Sequence, residues 1–77
     1  MKILVTVYRK DSDSPERELD VSGIGLEAAA DVVGIPADSL VDVYPLGESQ
    51  AAALGRLADV SLDDLDSYEY FLETVED

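Results

Sequence analysis

Seventy-seven residues carry 18 Asp and Glu against 5 Lys and Arg, a net charge of −13, with no His and no Cys. A chain this short makes one domain near the lower limit for a self-sufficient core. The composition excludes disulfides, thiolate metal sites and the usual neutral-pH proton carrier, and the charge repels the phosphates of nucleic acid.

The segment from Met1 to Val7 begins as a signal peptide would. It turns charged at Arg9 and Lys10, however, and lacks a small-residue cleavage site. No apolar run approaches the roughly 20 residues that cross a bilayer, so no membrane role and a cytoplasmic location are expected. Ile3 to Arg9 is rich in β-branched residues and partly alternating, which predicts a central strand. After the polar loop Lys10 to Glu16, Arg17 to Val21 alternates again, and the two strands form an antiparallel hairpin.

The period then changes. Leu26, Ala29, Ala30 and Val33 fall at i, i+3, i+4 and i+7, one face of a helix. Gly34 is placed as its left-handed terminator, with Pro36 beyond it and Ile24 as a hydrophobic staple onto Ala29. Val41 to Tyr44 reads as a short strand stopped by Pro45. A second helix runs from about Glu48 to Ala58, burying Ala51, Leu54, Leu57 and Ala58. Glu48 in its first turn and Arg56 in its last suit the helix dipole. Gly55 within it carries a propensity cost of ~1 kcal/mol against Ala.

The C-terminal segment has two readings. Ser61 and Asp64 have the spacing of a capping box opening a helix through Leu65, Tyr68, Leu72 and Val75. Alternation of Tyr68, Tyr70 and Leu72 against Glu69, Phe71 and Glu73 equally fits a strand after a turn at residues 62–66. Aromatic and β-branched content favours the strand. The expected fold class is α+β: a small, mainly antiparallel sheet with two helices on one face, in the order β-β-α-β-α-β.

Chemistry is sparse. Without His or a GxSxG elbow nothing activates the hydroxyls, and the only paired acids are carboxylates with little room for an enclosing pocket. Asp11 and Asp13 open like a calcium loop, but Pro15 and Ser22 stand where ligands are required. The expectation is therefore no enzyme, no cofactor and no metal. What remains is charge and aromatics. Residues 57–77 hold eight acids, no basic residue and Tyr68, Tyr70 and Phe71, whereas residues 1–20 are nearly balanced. A one-sided field with aromatic anchors points to a basic protein partner. The candidate contact residues are Asp63, Asp64, Asp66, Tyr68, Glu69, Tyr70 and Phe71, with Asp42, Tyr44 and Glu48 as a second patch. On a strand, Phe71 stands among acids on the open face. A rival explanation is composition: eleven Asp to seven Glu, two Lys and a core of small Ala and Val match adaptation to high salt.

The second half, with Tyr44-Pro45-Leu46, Gln50-Ala51-Ala52 and Asp66-Ser67-Tyr68-Glu69-Tyr70-Phe71-Leu72-Glu73, resembles a family of small acidic bacterial domains, mainly uncharacterised. That resemblance implies a terminal strand and an immunity-like or accessory interaction role, and it supplies no catalytic residues. The chain departs from the pattern at Gly47, where a capping Asp or Thr is usual, and near Val60-Ser61-Leu62. A weaker likeness is to ubiquitin-like β-grasp domains, in Met1-Lys2-Ile3-Leu4-Val5, the hairpin, the helix and Gly34-Ile35-Pro36. The terminal Gly-Gly needed for conjugation is absent; the tail is Val75-Glu76-Asp77. From the charge and this resemblance, an immunity-type inhibitor of a basic, nuclease-like toxin is the expected function. The alternative is a ubiquitin-like or accessory domain of a salt-adapted organism.

Overall fold

The computed structural model describes residues 2–62 and 64–76. Four strands, β1 (Lys2–Arg9), β2 (Pro15–Asp20), β3 (Tyr44–Pro45) and β4 (Tyr68–Val75), form one sheet in the order β2-β1-β4-β3, and all neighbours are antiparallel. Two helices, α1 (Leu26–Val33) and α2 (Glu48–Ala58), complete the order β-β-α-β-α-β. A ubiquitin-like sheet would set its first and last strands in parallel. Here β1 and β4 are antiparallel over eight residue pairs, so that likeness ends at the hairpin and α1.

Alternation decides which face is core. Ile3, Val5 and Val7 on β1 and Tyr70 and Leu72 on β4 are buried against Ala29 and Ala30 of α1 and Ala51 and Leu54 of α2. The small residues let both helices lie close to the sheet. Each helix ends as its sequence requires. Gly34 adopts φ 81° after α1, and its N–H and that of Ile35 both donate to the Ala30 carbonyl. At the start of α2 the Gly47 N–H donates to Gln50 Oε1 at 2.9 Å. This is half of a capping box; glycine has no side chain to supply the other half.

Two boundaries differ from the sequence reading, those of β2 and β3, while the C-terminal segment takes the favoured of its two readings. β2 begins at Pro15 rather than Arg17, because an edge strand tolerates proline at its first position. The C-terminal segment is the favoured strand, over Tyr68–Val75, with β1 as its full-length partner, and the capping-box helix from Ser61 does not form. The expected strand Val41 to Tyr44 is reduced to Tyr44–Pro45, and Pro45 lies within it. Leu40 turns inward, and its carbonyl accepts the Thr74 hydroxyl at 2.9 Å. Residues 41–43 then pass outside the ladder, leaving Val41 75% and Val43 55% exposed.

Asp59, after α2, is the one non-glycine residue with positive φ (56°) among the described residues. Its backbone is left-handed and its carboxylate stands at the negative end of the helix dipole, so both effects oppose it. Asp59→Gly is expected to raise stability by roughly 0.5–1 kcal/mol in urea unfolding. Asp59→Asn, which tolerates the same backbone, isolates the charge part. A fall in the midpoint for both variants would contradict this account of the helix end.

Candidate functional site

The two helices cover only one side of the sheet. On the other side the register sets Leu4, Thr6 and Tyr8 in a column along β1. Beside it, β2 presents Glu18 opposite Thr6 and Asp20 opposite Leu4. On the far side, β4 presents Glu69, Phe71 and Glu73 opposite Tyr8, Thr6 and Leu4, and Pro45 of β3 stands next to Phe71. An antiparallel sheet open to water normally shows polar side chains there. This face instead carries Leu4, Tyr8 and Phe71 about a buried Thr6, with acids on β2 and at Glu69 and Glu73 of β4 on its two sides. Lys2, opposite Val75, is the basic residue of β1 on this face.

The middle of this face is packed. The Tyr8 and Phe71 rings meet edge to face, centroids 5.5 Å apart at 89°, an arrangement that matches ring edge to ring face electrostatically. Thr6 between β2 and β4 is only 5% exposed, and its hydroxyl donates to Glu73 Oε1 at 3.3 Å. That bond fixes Glu73 beside Phe71. Asp20 is fixed too: its Oδ1 accepts the Ser22 N–H at 2.9 Å. The Ser22 hydroxyl, then that N–H, with Lys2 adding a smaller attraction, hold its carboxyl below the usual carboxylate range. The stability from these contacts is therefore present above the ordinary carboxylate range and lost as pH falls through the lowered one. Asp20 stays charged on this face.

The structure divides the residues singled out from sequence. Glu69 and Phe71 lie on the open face. Tyr70 does not: it is 3% exposed and belongs to the core, so its ring is not offered to a partner. The alternation that turns Phe71 outward turns Tyr70 in. Tyr68 is half-buried on the helix side. Asp64 serves the turn into β4, its carbonyl accepting the Tyr68 N–H and its Oδ1 the Ser67 N–H. Asp64 and Asp66 line a shallow hollow with Arg9, Lys10 and Asp11, so the chain's own cations offset their field. Asp63 lies outside the described residues. Tyr44 packs on the core side with its hydroxyl donating to the Ser39 carbonyl at 2.9 Å, and Asp42 and Glu48 are exposed away from the ladder.

Sequence reasoning missed Leu4, Tyr8, Glu18, Asp20 and Pro45. Their signal was the period of two in β1, which places Leu4 and Tyr8 opposite the buried Ile3, Val5 and Val7. Among the described residues, no three acidic side chains converge as a metal site would need. No helix of the described residues is long and apolar enough to cross a membrane.

The fold and this face define a two-layer α+β domain with one uncovered sheet surface flanked by acids. The chain belongs to the DUF7683 family, a domain of unknown function, whose family model matches residues 2–73. The match takes in the hairpin and α1 as well as the segment Asp66 to Glu73. No curated protein and no solved structure matches the chain.

Proposed function

We propose that the chain is an acidic protein-interaction domain that binds a basic protein through its open sheet face. The specific form of this reading is an immunity-type inhibitor of a basic, nuclease-like toxin domain. One observation carries it: the Tyr8–Phe71 ring pair stands among acids, Glu18 and Asp20 on β2 and Glu69 and Glu73 on β4, on a face that no described element covers. Aromatic side chains are enriched in binding hot spots, and this pair is half-buried on a face that the helices leave open. Enzymes acting on nucleic acid carry cationic grooves for phosphate. An acidic face with a central aromatic pair can occupy such a groove and exclude the substrate. The absence of any His or Cys agrees with binding rather than catalysis.

The test is binding of the purified domain to purified basic nuclease domains, with inhibition of cleavage as the readout. Reversing Glu18, Asp20 and Glu69 to Lys together is expected mainly to slow association, and raised salt to weaken the wild-type complex. Reversing Asp64 and Asp66, which stand beside Arg9 and Lys10, should do less. Salt-independent affinity, or full inhibition by the Glu18/Asp20/Glu69 variant, would remove the open face as the contact surface.

A second reading, salt adaptation, is favoured by the spread of the acids. Glu27, Asp31, Asp38, Asp42, Glu48 and Asp59 are all exposed away from the open face. The one ion pair among the described residues, Arg9 to Asp11 at 3.6 Å, is itself solvent-exposed. A salt-adapted chain gains order by circular dichroism only as molar salt screens its self-repulsion. A cooperative fold at low ionic strength eliminates this reading and leaves the charge in need of a partner.

A further inference from the structure

We infer that the occupant of the open face is a basic amphipathic helix of the partner, lying along β1 between the acids of β2 and those of β4; this rests on the interaction reading above. The argument begins with what a sheet face lacks. Backbone donors and acceptors of a sheet point sideways along the ladder, so the face offers them to nothing laid on top of it. An extended segment on that surface would leave its own N–H and C=O groups unpaired beneath the contact. A helix satisfies its backbone internally.

Dimensions select the same occupant. From Leu4 to Tyr8 β1 runs four residue steps, about 13 Å, and β2 lies about 10 Å from β4 across β1. A helix is roughly 10–12 Å wide with its side chains, and residues i, i+3 or i+4, and i+7 span about 10 Å of its length. Its apolar stripe would cover Leu4, Tyr8 and Phe71. Lysines or arginines on its two flanks would then reach Glu18 and Asp20 on one side and Glu69 and Glu73 on the other. A second sheet would need a broad flat apolar surface, and the acids on both sides leave too narrow a lane for that. A second copy of this chain is opposed by its own charge of −13.

The test uses isotope-labelled full-length domain titrated with a synthetic helical peptide of about 18 residues, long enough to hold helix in water. The peptide bears a Leu stripe at i, i+3, i+4 and i+7 with Lys on both flanks. Two controls have the same composition: one scrambled to lose the stripe, one alternating Lys and Leu as a strand would. The stripe peptide is expected to shift amide signals of β1, β2 and β4, and to bind at least about tenfold more tightly than either control, a difference of about 1.4 kcal/mol. Phe71→Ala should weaken it about tenfold, and Glu18→Lys, an exposed change that leaves the core alone, should weaken it as well. Equal binding by a control peptide, or shifts confined to α1 and α2, overturns the inference. If a basic nuclease domain binds the open face while the stripe peptide does not, the helix is wrong and the interaction reading stands. If neither binds, both fall.

Discussion

Leu72→Ala is expected to cost roughly 2–5 kcal/mol of folding stability, the usual range for truncating a fully buried leucine. Leu72 is 0% exposed and sits at the middle of β4, opposite Val5 on one side and Tyr44 on the other. Three strands therefore contribute to the same layer around it, with Ala51 and Leu54 of α2 in the same core. Those neighbours are held by backbone ladders and helix packing, so they cannot collapse fully into the space. A 77-residue domain holds only ~4–12 kcal/mol in total at typical stability per residue, so the loss is a large fraction of the whole. Phe71, the next residue, should behave differently. It is half-exposed, and its main partner is the Tyr8 ring. Phe71→Ala should lose about 0.5–1.5 kcal/mol for that ring pair, plus partial burial, while reducing partner binding more than stability. Urea midpoints of the two variants, measured side by side, check this. Equal losses would mean that the open face is as much core as the closed one.

Much of the architecture was legible because it is written in local periods. The 3.6 period of Leu26, Ala29, Ala30 and Val33, the glycine after it, and the bounds of α2 follow from side-chain geometry within a single element. The succession of strands and helices along the chain followed from the same periods, whereas the sheet order β2-β1-β4-β3 depends on pairing between distant segments. The short β3 was less legible, because Val41 and Val43 have strand character and yet remain exposed. What makes Tyr44 and Pro45 a strand is their pairing with Leu72 and Phe71, a contact nearly thirty residues away that no local pattern encodes. The arrangement of the acids was less legible for a related reason. Charge density along the chain peaks at Asp63, Asp64 and Asp66. Folding instead sets Asp64 and Asp66 beside Arg9 and Lys10, and it brings Glu18 and Asp20 from the opposite end of the chain to the same face as Phe71. Phe71 itself was placed correctly on the open face. The period of two fixes that as soon as Tyr70 and Leu72 are buried.

Gly55→Ala is expected to destabilise the domain, against the direction that helix propensity gives. Gly55 lies inside α2, where replacing Gly by Ala ordinarily gains ~1 kcal/mol. A Cβ built there stands 2.8 Å from the Val60 carbonyl oxygen, which is backbone and has no rotamer to escape into. Nor is the loop free to withdraw. The Val60 N–H donates to the Gly55 carbonyl at 3.0 Å, closing the helix end onto itself. Two residues on, Leu62 is 3% exposed within the core, and its backbone nitrogen and Cβ lie within 4 Å of the added methyl. Relieving the contact therefore means stretching the terminating bond at Val60 or lifting Leu62 from its packing. Overpacking of this kind costs about 1–3 kcal/mol, enough to outweigh the propensity gain. The expected result is a lower urea midpoint with an unchanged slope, and a larger fall for Gly55→Val. Ser49→Ala, exposed in the first turn of the same helix, should change little and serves as the control for propensity alone. A rise in the midpoint for Gly55→Ala would mean that residues 60–62 yield easily, and that this glycine is a weak point of the helix rather than the space its terminating loop requires.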